Sequence, residues 1–189
     1  MTDGVHHTFN LEDYALDVMT THHVSFAPYI AEPEDAFIKH VAATVLHYTP
    51  GPTVTSETVG QVNGWLILGT LACLEGSDLL EACDAHSEEL LGVHQALHNF
   101  APGGLLEEDN FLYVQRIELL QTHDSLTLRC AVFDRVVNTL EVPIAYAAAS
   151  GQSFALTRGR MKESNWESTL PDQSVYLPQE HLVVLKTQP

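Results

Sequence analysis

Residues 110–120 read Asn-Phe-Leu-Tyr-Val-Gln-Arg-Ile-Glu-Leu-Leu, and the fold turns on how they are read. They alternate with the period of an extended strand, in which successive side chains point to opposite faces. Leu112, Val114, Arg116, Glu118 and Leu120 then share one face, and Tyr113, Gln115, Ile117 and Leu119 the other. Asp124 or Ser125 can cap the next element, since either side-chain oxygen can accept from the free amides of a first helical turn. Leu126, Cys130, Phe133 and Val137 recur at helical spacing, and Val142 to Ala148 read as a second strand. A strand, a helix and a strand of this length make a crossover unit, so strands 110–120 and 142–148 are expected to run parallel.

Outward from this unit the signals are more local. Downstream, Thr157 to Trp166 reads as a short basic helix and His181 to Leu185 as a closing strand. Upstream, the apolar, glycine-interrupted run from Gly60 to Leu74 predicts a buried hairpin or strand pair. After Ser77, the positions Leu79, Cys83, Ser87, Leu90, Val93 and Leu97 keep one helical face until Pro102-Gly103-Gly104 ends it. Asp35 to His47 predicts another helix, with Phe37, Val41, Ala42 and Val45 on one side, and Tyr14 to Phe26 a strand. Further punctuation falls at Thr49-Pro50-Gly51-Pro52, Pro171 and Pro178. The 189 residues fit one domain, with residues 1–59 as an elaboration carrying the first strand and helix, and 60–189 as the core. The expected class is α/β (α+β): a mixed, mostly antiparallel sheet with one parallel, splayed strand pair and helices on both faces.

This order resembles the GNAT-type N-acetyltransferase superfamily. The run FLYVQRIELL is similar to the central strand of many bacterial members, an apolar run ending in Arg-Ile-Glu. The segment LLEACDAHSEELLGVHQAL resembles a helix of bacterial GNAT-like proteins, and HLVVL suits a terminal strand. The resemblance implies an acetyl-CoA loop after the central strand, of the form Gln/Arg-x-x-Gly-x-Gly/Ala, whose backbone amides cradle the pyrophosphate at a helix N-terminus. Here that stretch is Asp124-Ser125-Leu126-Thr127-Leu128-Arg129, and no glycine occurs between His123 and Glu141. Asp124 opposes a diphosphate, and Thr127 and Arg129 fill space that the glycines would leave open. If acetyl-CoA binds at all, Leu119, Ser125, Leu126, Thr127 and Arg129 are the residues the resemblance assigns to it. Glu118 resembles the glutamate that some members use as general base, although Arg116 beside it offers a plain ion pair. The window from Gly151 to Trp166, where the family places a proton-donating tyrosine, contains none; Tyr146 reads as core.

Charge supplies the remaining expectation. The net charge is -17, and up to Val114 the only Lys or Arg is Lys39 against 17 acids, whereas the remainder carries seven against eight. Such a field repels nucleic acid and suits a basic protein partner, a second copy included, since Arg158-Gly159-Arg160-Met161-Lys162 is a compact basic cluster. The opening MTDGVHHTFNLEDY lacks a basic leader and an apolar signal core, and no uncharged apolar run approaches the ~18 residues of a membrane span. Three cysteines without a CxxC pattern point to reduced thiols and a cytoplasmic setting. Of eleven histidines, His94 and His98 stand one turn apart, a spacing that can chelate zinc, but no glutamate completes an HExxH site. His6-His7 and His22-His23 belong to no ligand pattern, so the histidines read as structural and no metal is expected. No Ser-His-Asp signature, Walker loop or dinucleotide fingerprint is present. The leading expectation is a GNAT-like, non-catalytic, acidic protein-binding module that needs no cofactor. The alternative is an acetyl-CoA-dependent N-acyltransferase acting on a cationic amine.

Overall fold

The computed structural model describes residues 11–21, 37–49, 53–100, 105–154 and 174–187. The predicted basic helix Thr157–Trp166 lies outside them. Among the described residues the chain forms β1 (Tyr14–Thr21), β2 (Ile38–Thr49), β3 (Thr55–Leu68), α1 (Gly69–Glu75), α2 (Leu79–His86), α3 (Glu88–Phe100), β4 (Asn110–Leu119), α4 (Leu126–Thr139), β5 (Tyr146–Ser150), β6 (Ser174–Leu177) and β7 (Leu182–Lys186). The strands make one sheet in the order β1-β2-β3-β4-β5-β7-β6. Its neighbours are antiparallel except β4 and β5, which run parallel from Phe111↔Tyr146 to Val114↔Ala149. The expected mixed sheet and its single parallel pair are both present.

The core divides between the two faces. Leu128, Val132, Phe133 and Val136 of α4 bury against Val45, Val62, Leu112, Val114 and Ile117 on one face. On the other, Leu79, Cys83, Leu90, Val93 and Leu97 of α2 and α3 bury against Ile38, Ile67, Phe111, Tyr113 and Val184. Each such side chain contributes about 1.5–3 kcal/mol by leaving water, which is what clamps both helix layers to the sheet. Buried Asn110 ties the layers at one end: its Oδ1 accepts from Thr70 N (3.2 Å) and its Nδ2 donates to Pro143 O (2.9 Å).

Four expectations need correction. Asp35–His47 is not a helix: from Ile38 it is β2, because Phe37, Val41 and Val45, four apart, fit both periods and the β-branched content tips the balance. Gly60–Leu74 is not a hairpin, since β3 runs through to Leu68 and α1 starts at Gly69. Gly69 is dictated by space, as a Cβ there would sit 2.2 Å from Asp109 O. The long helix after Ser77 is two helices, α2 capped by Asp78 and α3 started by Ser87, whose Oγ accepts from Leu90 N at 3.1 Å. Finally, β4 does not keep one alternation. Gly64 pairs with Val114 but Asn63 with Arg116, so Gln115 is an extra, bulged residue. Past it Ile117 and Leu119 join Leu112 and Val114 on the α4 side, leaving Arg116 and Glu118 on the other.

Candidate functional site

The bulge is where β4 and β5 part, since their register ends at Val114↔Ala149. The gap is filled from within. Ser125 caps α4, its Oγ accepting from Leu128 N at 3.2 Å, and this sets the first turn so that Arg129 points inward. Arg129 is 7% exposed. Its Nε donates to Asp124 Oδ1, and its Nη1 to both Ile117 O of β4 and Ser153 O, each at 2.6 Å. Ser153 belongs to the 3-10 turn Gly151–Phe154 after β5, and its Oγ donates to Gln115 O at 3.2 Å. Phe154 of the same turn meets Phe133 edge-on at 5.6 Å. One guanidinium thus ties the end of β4, the start of α4 and the end of β5, and the carbonyls of Gln115 and Ile117 are both engaged.

The other residues singled out in the sequence are not gathered round it. Thr127 is exposed, while Leu119 and Leu126 are half-buried against the α4-side core. Glu118 lies on the opposite face, where its Oε1 is 2.5 Å from Arg116 Nη2 and both side chains are at least half exposed. Asp124 is not the cap; its carboxylate is given to Arg129. Tyr146 is buried core, as are Cys83 and Cys130, whose thiols burial pushes up to about 12 and about 11, away from reactive thiolate. His94 and His98 do not converge with a third ligand. His98 Nδ1 faces Leu105 O at 3.3 Å, and His94 packs on Phe111 with its Nδ1 buried and without a hydrogen bond.

A second cluster forms where sequence spacing gave no sign of one. Tyr14, His47 and Glu57 are direct cross-strand neighbours on β1, β2 and β3. A bulge at Val59, between the pairs Val45↔Gly60 and Leu46↔Thr58, keeps Glu57 on the α4 side of the sheet. The carbonyl of Val59 accepts from Leu120 N at 2.8 Å, and the turn closed by His123 N→Leu120 O (2.8 Å) brings His123 over the row. His47 Nδ1 and His123 Nε2 lie 3.5 and 3.8 Å from Glu57 Oε1, and His123 Nδ1 is 3.0 Å from the Tyr14 hydroxyl. Burial, with Asp13 and Glu57 nearby, raises the Tyr14 phenol above its ordinary value, so it remains protonated at neutral pH. Tyr14 also lines a cleft of about 490 Å³ between β1 and α4, with Leu16, Leu128, Val132 and Arg135.

No protein-family model, curated protein or solved structure matches this chain. Among the described residues no helix is long and apolar enough to cross a membrane.

Proposed function

We propose that this chain is a divergent GNAT-type protein that does not transfer acetyl groups, and that it serves in the cytoplasm as an acidic module binding a basic protein partner. The observation that carries this reading is the commitment of Arg129. The one cation in the stretch that resembles the acetyl-CoA loop is turned inward, bonded to Asp124, Ile117 and Ser153, and so withdrawn from any diphosphate. A carboxylate at Asp124 and a side chain at Thr127 in place of glycine fit that ligand poorly as well. The alternative, an N-acyltransferase that holds CoA through its pantetheine arm, needs free strand backbone past the bulge. There the Gln115 and Ile117 carbonyls already accept from Ser153 and Arg129. The GNAT resemblance rests on the sequence of residues 110–120 and the segments around it, and a scaffold alone does not carry an activity.

The nature of the partner rests on charge. Between Gly69 and Asp109 the chain has nine Asp and Glu and no Lys or Arg, and these residues make up α1, α2, α3 and the loop into β4. A layer of one sign steers a cationic surface toward itself. A second copy carries one such run of positive charge in its sequence, from Arg158 to Lys162.

Calorimetric titration with acetyl-CoA, and with desulfo-CoA as a second ligand, tests the reading. We expect no heat at millimolar ligand. A dissociation constant below ~100 µM, about 5.5 kcal/mol, would overturn it and make a cationic-amine screen with Glu118→Gln the next step.

A further inference from the structure

We propose that His47, Glu57 and His123 form a mononuclear site for a divalent transition cation of the zinc class, with Tyr14 as the residue that orients His123. The site is independent of the acetyl-CoA question, because it lies at the β1–β2–β3 end of the sheet and shares no residue with the Arg129 cluster. Two imidazoles and one carboxylate are a ligand set suited to zinc, leaving the fourth tetrahedral position for water or an incoming ligand. The three donor atoms all lie within 4.8 Å of one another. Tetrahedral zinc with ~2.0–2.1 Å bonds to nitrogen needs donors roughly 3.3–3.5 Å apart. Glu57 to His47 is already there at 3.5 Å, and Glu57 to His123 is close at 3.8 Å.

Two further observations point to a ligand rather than a chance meeting of side chains. His47 Nδ1 is buried and makes no hydrogen bond, although it lies 3.5 Å from Glu57 Oε1. A buried, unsatisfied ring nitrogen costs free energy that a metal bond would recover. His123 is held on its far side: its Nδ1 meets the Tyr14 hydroxyl at 3.0 Å. When Nδ1–H donates to that oxygen, Nε2 carries the lone pair, 3.8 Å from Glu57 Oε1. An outer partner of this kind fixes the tautomer and ring direction of a ligating histidine. The rings of Tyr14, His47 and His123 pack against one another in tilted or edge-on contacts at centroid distances of 4.9–5.9 Å, which restricts the rotamers of both ligands. The charge balance also suits a dication, since Glu57 is a carboxylate in contact with imidazoles that must be neutral to ligate. The sequence alone predicts no metal here, because His47, Glu57 and His123 come together only through strand register and the bulge at Val59.

Metal-free full-length protein should be titrated with ZnCl2 by calorimetry at neutral pH, with MgCl2 as the hard-cation control. We expect one equivalent of Zn²⁺ bound with a dissociation constant below ~1 µM and no binding of Mg²⁺, which prefers all-oxygen sites. His123→Ala should weaken Zn²⁺ binding at least ~100-fold and Tyr14→Phe by ~10–100-fold, as expected of a ligand and of its outer partner. Should a histidine variant fail to fold in chelator, Glu57→Gln carries the test, since that side chain is largely exposed and its loss leaves the sheet intact. It should weaken Zn²⁺ at least ~10-fold. Absence of Zn²⁺ binding to the unaltered protein at 100-fold the expected constant would overturn the proposal. So would binding that Glu57→Gln and His123→Ala leave unchanged, because the zinc would then sit on other histidines.

Discussion

Arg129 shows how a residue that reads as a ligand contact becomes an internal tie. A guanidinium brought out of water is costly unless its donors are answered, and here Asp124, Ile117 O and Ser153 O answer them. Removing the side chain leaves two carbonyls and part of a carboxylate without partners. Arg129→Ala should therefore lower the unfolding free energy by about 3–5 kcal/mol in urea titrations. Asp124→Asn should cost only ~1 kcal/mol, because the Asp124 side chain is 34% exposed and its pairing is screened by solvent. Equal midpoints for Arg129→Ala and the unaltered protein would show that the tie is idle. Gly64 makes a complementary case at the bulge. A Cβ there would lie 2.4 Å from Tyr113 O, a backbone atom that cannot swing away, so Gly64→Ala should destabilise by ~1–3 kcal/mol. A neutral result would mean that β3 and β4 give way locally at the bulge.

At the scale of elements, α3 meets the sheet through a histidine whose charge is opposed. Burial against Phe111 lowers the His94 pKa below its ordinary value, His98 lowers it further, and Asp78 offsets this in part. The unfolded chain then takes up the proton first, near pH 6.5, so the contribution of this residue is intact above that pH and is lost as pH falls through the folded value. Thermal melts at pH 7.5 and pH 5.5 should show that His94→Phe loses less stability on acidification than the unaltered protein; parallel losses would refute the assignment. The sequence makes α4, its Ser125 cap and the parallel pair legible, because each rests on a local pattern of period or capping. It conceals whatever depends on a single-residue slip. The bulge at Gln115 moves Ile117 to the face that alternation denies it, and so separates Glu118 from the α4 side. In β2, apolar residues four apart satisfy strand and helix alike, so its β-branched content and its pairing with β1 and β3 decide. β6 is four residues between Pro171 and Pro178, too short to register as a strand. The His47–Glu57–His123 cluster has no sequence signature at all, since two of its members sit on neighbouring strands and the third on a turn beyond β4.

For the whole molecule, the layer that concentrates negative charge also carries three of the eight large apolar side chains exposed among the described residues. Glu75, Asp78, Glu81, Asp84, Glu88 and Glu89 are all exposed on α1, α2 and α3 or at their caps. Leu74 of α1 is 80% exposed, and Leu80 and Leu106 of the same layer are also open to solvent. Carboxylates provide steering and register, whereas apolar side chains desolvated at the centre of a contact supply most of the affinity. A partner that pairs cationic side chains with an apolar anchor fits this layer, and α4 on the opposite face offers nothing comparable in charge. Glu81→Lys combined with Glu88→Lys should slow association with a lysine-rich probe peptide at least ~10-fold at low salt, with the difference shrinking as salt rises past a Debye length of ~10 Å at 0.1 M. Asp134→Lys combined with Glu141→Lys, on and just beyond α4, removes the same amount of negative charge from exposed positions elsewhere. If that pair slows association as much as the α2–α3 pair does, net charge alone is responsible and the layer has no special role. If only the α2–α3 pair acts, and Leu74→Ser then speeds dissociation, the helical layer is the docking surface.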